Sequence, residues 1–384
     1  MAGAVHRARD TADVAEGVRE AAARGDGLRI AAARTWLDAG RPVSARATLA
    51  VDALEGIVDY TPGDLTLTAR AATSLDAIAR ATSAERQWLA LDPPGAATGT
   101  LGATVATASA GPLACAFGTP RDNVLGLEAV TGDGKVVRAG GRVVKNVAGF
   151  DLARLFTGAW GTLAIITEVS IRLRALPDAD TTVALAVPVD HAALDAMLGR
   201  LRAMPLAPLA LELVTGALAS RLGLGARDTL LARVAGNARA VAAQRDALAR
   251  LAPLDDAPPD VWTALGAAEP AGAAVVRLSR APSHLAGVWD AARRAADDLP
   301  GTLVHAAVTR GVVRCILPRA GDDVLARTLE RWRAAGATLI AERLPAAGWA
   351  ALPAELPNAA LARAAQHAFD PAGILNPGIL GAAS

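Results

Sequence analysis

Apolar residues recur along this chain at two different spacings, and the texture changes near residue 180. Val14, Val18 and Ala21–Ala22 fall at helical intervals between Thr11 and Arg24, and Gly25 and Gly27 end the run. Short strand-like stretches follow at 28–30, 48–51, 56–60 and 64–70. In the last of these Leu65-Thr66-Leu67-Thr68 alternates strictly, as a strand with one buried face requires. Ser74 is placed to cap a helix through about Ala84. Thr131-Gly132-Asp133-Gly134 carries Asp-Gly turn chemistry, which predicts a hairpin between 124–130 and 135–138. A strand rich in Ile and Val spans 163–173.

From Thr181 the pattern predicts strands at 183–187, 209–214, 229–234, 274–278, 302–308, 312–317 and 337–341. Helices are predicted at 191–204, 239–251, 283–297 and 322–335, with an acidic, Pro-rich loop at 255–260. That order predicts an antiparallel sheet with helices on one face. A last helix at 358–369 leads into the turn-rich tail Asp370 to Gly378. The fold class is therefore α+β, and the segments are 1–178, 179–345 and 346–384.

A length of 384 residues with 52% hydrophobic residues and mean hydropathy +0.30 supplies two domains with ample cores. A net charge of +1 gives no reason to expect a nucleic acid or an anionic membrane as partner. Cys115 and Cys315 lie far apart, follow no metal-ligand spacing, and read as reduced buried thiols. An iron–sulfur cluster needs about four thiolates, so this chain alone holds none, and no metal site is expected. The first ten residues lack the apolar core of a signal peptide. The uncharged stretch between Asp92 and Arg121 contains too much Gly, Pro, Thr and Ser for a membrane span. A soluble, cytoplasmic protein is expected, associated with a membrane only through partners.

Candidate chemistry concentrates between Thr98 and Glu168. Gly99 to Gly111 is a run of small residues whose backbone N–H groups and hydroxyls lie open to a large, flat, anionic ligand. The same run also suits a helix packed closely on a sheet. Other nucleotide chemistries lack their signatures. No G-x-G-x-x-G follows an opening strand, and Gly132-Asp133-Gly134-Lys135-Val136 lacks the Ser or Thr of a phosphate loop. There is no G-x-S-x-G elbow and no C-x-x-C, and the five histidines share no spacing.

Five pieces stand in order: Gly99–Thr107, Gly118–Val124, Lys145–Asp151, Gly158–Glu168 and the final Asn376-Pro377-Gly378. Their order and spacing resemble the FAD-binding domain of vanillyl-alcohol-oxidase-type flavoproteins. Within that superfamily the likeness is nearest to the FAD-binding subunits of bacterial glycolate oxidase (glycolate dehydrogenase). It covers residues 28–176 and 369–380.

The resemblance implies an FAD domain built from both ends of the chain and an α+β cap domain with an antiparallel sheet between them. FAD would be held non-covalently, since no histidine lies in the Gly-rich region. The residues it implies at the cofactor are Thr35, Thr100, Leu101, Gly102, Ala103, Thr104, Ala106, Thr107, Gly111, Gly118, Thr119, Arg121, Asp122, Lys145, Gly161, Ile165, Ile166 and Asn376. Arg121 and Asp122 also read as a local ion pair holding the loop. The activity implied is oxidation of glycolate or a related 2-hydroxy acid, with hydride passing to the flavin and electrons to an iron–sulfur subunit. Partners implied are that subunit and a larger homologous FAD subunit.

The chain departs from the family at Ala31-Ala32-Ala33, Ala71-Ala72 and Ala164, where glycine is expected. The superfamily's His-rich acid–base motif is missing around His305. No catalytic residue is assigned. A self-sufficient 2-hydroxy acid dehydrogenase and a flavin-free structural subunit remain as alternatives.

Overall fold

The computed structural model describes residues 4–95, 97–141, 151–319, 321–353 and 358–381. The chain forms two compact units. The first comprises Met1–Ala110, Gly118–Leu176 and Pro353–Ser384; the second comprises Gly111–Phe117 and Pro177–Leu352.

In the first unit, strands β1 (Ala4–Arg7), β2 (Leu28–Ala31) and β3 (Ala47–Ala50) make a parallel sheet in the order β1-β3-β2. β1 was not expected, because four residues with exposed or half-exposed side chains carry no apolar pattern. The helix Thr11–Arg24 forms as expected. The Asp10 carboxylate accepts the Asp13 N–H at 2.8 Å at its start, and Gly25 ends it at φ 66°. Val14 and Val18 of this helix pack with Leu28, Leu49 and Leu375. The tail joins the sheet edge: Leu28 donates to the Ile374 carbonyl at 2.7 Å, and Asn376 donates to that of Leu28 at 2.9 Å.

The second layer of this unit is an antiparallel sheet. Its strands are β4 (Ile57–Thr61), β5 (Thr66–Arg70), β6 (Val124–Thr131), β7 (Val136–Gly140) and β8 (Ala164–Arg172), in the order β4-β5-β8-β6-β7. β6 and β7 form the expected hairpin. Asp133 accepts the Thr131 hydroxyl at 2.6 Å within its turn, and Gly134 takes φ 75°. Leu67, Leu127, Val169 and Ile171 bury one face against Ile78, Leu101, Val105 and Phe156, which come from three short helices.

In the second unit the strands are β9 (Ala179–Ala186), β10 (Ala210–Val214), β11 (Thr229–Gly236), β12 (Asp255–Asp256), β13 (Ala274–Ser279), β14 (Leu303–Ala307), β15 (Val312–Leu317) and β16 (Thr338–Arg343). They pair antiparallel in the order β12-β9-β11-β10-β14-β15-β13-β16. The four expected helices (His191–Ala203, Ala238–Ala249, Leu285–Asp298 and Asp322–Ala334) bury Leu194, Leu248, Trp289 and Trp332 on one face. Helices on a single face is corrected in part. Short helices Gly216–Arg221 and Val261–Gly266 pack Leu218 and Leu265 on the other face, against Val214, Leu303 and Ile316.

That second face also carries charge. His305, Arg314 and Arg277 stand side by side across β14, β15 and β13, because their neighbours in each strand point into the helical side. Arg314 pairs with Glu269 and Glu342, each at 2.5 Å, and all three are buried. Among the described residues no helix is long and apolar enough to cross a membrane.

A candidate cofactor cleft in the first unit

Three separated segments and the tail enclose a cleft of about 840 Å³, counting its open mouth. One wall is the loop leaving β2, from Arg29 to Leu37. A second is the short helix Leu101–Thr107, which presents Thr100, Gly102, Ala103, Ala106 and Thr107. The third is the turn Trp160–Gly161 with Ala164, Ile165 and Ile166 at the start of β8, closed by Asn376 and Ile379.

The helix sits close to the sheet because Gly102 has no side chain. A Cβ there would meet the Ala71 Cβ at 2.6 Å and its carbonyl oxygen at 2.8 Å, which accepts the Gly102 N–H. So the small-residue run is both a packing device and a cleft wall. Thr100 caps the helix, its hydroxyl accepting the Ala103 N–H at 3.3 Å. At the other end the carbonyls of Val105 and Ala106 accept the N–H groups of Gly158 and Trp160 at 3.0 and 2.8 Å, which hangs the 158–161 turn on the helix.

Asn376 holds that turn from the opposite side. Its Nδ2 donates to the Trp160 carbonyl at 2.9 Å, and its Oδ1 accepts the Ile30 N–H at 3.0 Å. Gly161 has to be glycine, with φ 68° and the Asn376 Nδ2 only 2.9 Å from where a Cβ would stand. Trp160 takes φ 54° and Arg34 takes φ 62°, left-handed conformations that side chains other than glycine adopt at a cost. Strain of this kind gathers at functional sites. Trp36 and Trp160 place their rings 6.5 Å apart, tilted by 46°, at the cleft.

The alanines that replace the expected glycines turn out not to be strained. None of Ala31–Ala33, Ala71, Ala72 or Ala164 takes a positive φ; the loop after β2 puts that conformation on Arg34.

Of the residues expected at the cofactor, Thr35, Thr100, Gly102, Ala103, Ala106, Thr107, Gly161, Ile165, Ile166 and Asn376 all line this cleft. Thr104 faces an adjoining recess with Thr35 and Thr100. The Leu101 side chain is fully buried in the core, so only its backbone is near the cleft. Gly111 is not brought to the cleft: it begins the segment Gly111–Phe117, which packs in the second unit. Arg121 lines a different, more open recess beside the tail helix.

Gly118, Thr119 and Asp122 form a cap. The Asp122 carboxylate accepts the Thr119 N–H at 2.8 Å and its hydroxyl at 2.9 Å. The Thr119 amide, helped by its hydroxyl and the charges of Arg154 and Arg121, holds that carboxyl below its usual value. Lys145 lies outside the described residues, so its expected role has no structural counterpart here. Among the cleft residues not anticipated as ligands are Arg29, Trp36 and Trp160. Arg29 is flanked by apolar Leu28 and Ile30 and reads as an ordinary outward strand residue.

Comparison with known proteins agrees with this geometry. Residues 2–140 match the family model described as FAD binding domain. Glycolate oxidase subunit GlcE of Escherichia coli (strain K12) is 39% identical over 171 residues, 44% of this chain and 49% of that protein. D-lactate dehydrogenase of Archaeoglobus fulgidus is 40% identical over 131 residues, 34% of this chain and 29% of that protein. The matches thus span about half the length of the first relative and less of the second. The solved structure of p-cresol methylhydroxylase with substrate bound superposes with a TM-score of 0.76 at 15% identity, covering 98% of this chain and 88% of that one.

The chain therefore shares the fold of p-cresol methylhydroxylase, in line with the α+β fold class expected from its sequence. Residues 2–140 carry an FAD binding domain, with FAD as its cofactor. The cleft fits that dinucleotide chemically. Its lining holds two arginines and no carboxylate, a pair of indoles, and one buried guanidinium N–H, on Arg29, without a partner.

Proposed function

We propose that the chain is the FAD-binding subunit of a multisubunit dehydrogenase that oxidises glycolate, or a related small 2-hydroxy acid, to the 2-oxo acid. The observation that carries the reading is the cleft itself: an acid-free, aromatic-flanked groove assembled from the FAD binding domain, the 160–166 segment and the returning tail. The substrate class rests on the relatives' names, since glycolate and D-lactate are both 2-hydroxy acids. When bound, FAD supplies the acceptor for the two electrons and the hydrogen lost from the substrate's C2. The residues of this chain hold it in place: Thr35, Thr100 and Thr107 offer hydroxyls, the Trp160–Gly161 turn offers backbone, and Asn376 fixes that turn.

A larger homologous FAD subunit and an iron–sulfur subunit are the proposed partners. The "subunit" in the name of the glycolate oxidase relative supports the assembly, and the missing acid–base motif around His305 supports placing turnover in the larger chain. Assay of the purified chain with glycolate and an artificial acceptor tests this. Turnover is expected only after the partner subunits are added; turnover by the chain alone would overturn it.

One observation favours the alternative of a self-sufficient dehydrogenase. His305 Nδ1 lies 2.8 Å from Glu212 Oε2, a carboxylate–imidazole pair within the second unit's sheet. On that reading His305→Ala abolishes turnover by the isolated chain.

A further inference from the structure

Every polar side chain at the cleft has somewhere to place its hydrogen bonds except one. Arg29, on β2, lines the cleft. Its Nη2 donates to the Leu37 carbonyl at 2.9 Å, which fixes the plane of the guanidinium. Its Nη1 is shut off from water and has no hydrogen-bond partner. Burial lowers the Arg29 pKa from its ordinary value, yet a guanidinium stays protonated in proteins, so the charge persists. A buried N–H donor without an acceptor is unfavourable, and a buried unpaired cation more so. No carboxylate lines the cleft to answer it. The other lining cation, Arg34, is exposed and left to solvent. A fixed donor without a partner, on a side chain that lines an acid-free groove, calls for an anion from outside the chain.

We propose that Arg29, through Nη1, binds the diphosphate of the dinucleotide, taking over part of the task that a glycine-rich amide cradle performs elsewhere. The Ala31–Ala33 loop supplies fewer adaptable backbone N–H groups than glycine would, and the planar guanidinium makes up the difference. The assignment rests on the flavin reading above and goes beyond it by naming the charge that holds the phosphates.

The test is Arg29→Met in the full chain, which keeps the packing of the stem and removes the charge. The apo variant should melt at the same temperature as wild type or higher, because an unpaired buried cation has gone. Its affinity for FAD, followed by quenching of flavin fluorescence, should fall roughly 10- to 150-fold, the range for hydrogen bonds to charged groups. Affinity for riboflavin, which carries no phosphate, should not change. Arg29→Lys keeps the charge without the fork and should fall in between; it also serves if the methionine variant does not fold. Equal FAD affinity in wild type and variants, or parallel losses for FAD and riboflavin, would overturn the assignment alone. A wild-type protein that takes up no FAD would overturn the flavin reading and this assignment with it.

Discussion

Asn376 accepts the Ile30 backbone N–H at 3.0 Å across 346 positions of sequence, so the end of the chain closes a cleft that its beginning opens. The same side chain donates to the Trp160 carbonyl, and the residue is buried in the left-handed region at φ 44°, where asparagine is better tolerated than most residues. Asn376→Ala removes both contacts and leaves a part-buried N–H and C=O without partners. It should cost about 1–3 kcal/mol of stability and weaken FAD binding. Asn376→Asp should be worse for the turn, since a carboxylate would face the Trp160 carbonyl. Thermal melts and flavin titration of the two variants check this.

Gly102 separates packing from ligand contact. A Cβ at this position collides with backbone as well as side-chain atoms of Ala71, so the helix Leu101–Thr107 has to shift away from β5. Gly102→Ala should destabilise by about 1–3 kcal/mol, as overpacking does, and move the cleft wall. Ala103→Ser, on the cleft side of the same helix, should leave the melting temperature close to wild type. Equal melting temperatures for Gly102→Ala and wild type would contradict the packing described.

Glu128 gives the first unit a pH dependence. Burial alone would raise its pKa, but hydrogen bonds from Thr11 at 2.6 Å and Thr167 at 3.0 Å, with Arg138 beside it, outweigh that and hold it below the usual carboxylate value. A carboxylate whose folded pKa is depressed stabilises fully above its unfolded pKa. That contribution is lost as pH falls through the folded value. Stability should therefore decline on acidification below the ordinary glutamate range, and Glu128→Gln should flatten that part of the profile. Chemical denaturation across an acidic pH series would show it.

Arg314 anchors the second unit's charged face. It is buried between Glu269 and Glu342, and its charge holds the Glu342 carboxyl below its usual value against burial. Removing Arg314 takes one buried cation from both carboxylates and leaves Glu342 with Arg277 at 2.6 Å and Glu269 with Arg343 at 3.4 Å, so Arg314→Met should cost about 3–5 kcal/mol. Replacing all three with apolar residues of similar volume should recover little of that loss, because Arg277 and Arg343 then lose the carboxylates they pair with. Denaturant midpoints of the single and triple variants test the difference.

Much of this architecture was legible in the sequence, and the reasons differ by element. Apart from Asp255–Asp256, two exposed acidic residues expected as loop, the strands of the second unit alternate or run apolar between turn residues, so their existence and sequence order follow from periodicity. The helix Leu101–Thr107 has no amphipathic pattern, because Gly, Ala and Thr bury equally well on any face; its place came from family likeness. Asn376 was marked by the same likeness, but its role as a clip depends on a contact between chain ends that no local pattern encodes. Arg29 and Trp160 were missed for opposite reasons. Arg29 looks like an ordinary polar strand residue, and a tryptophan is an unexpected occupant of left-handed backbone.

The proposed function requires the cleft between Arg29, Ala103 and Gly161 to hold FAD without a covalent bond. Titrating the purified chain with FAD, then precipitating it with acid, measures this directly. A stoichiometric yellow complex whose flavin is released intact into the supernatant is the result expected. A protein that stays colourless with FAD in excess, or flavin that stays with the precipitate, would contradict it.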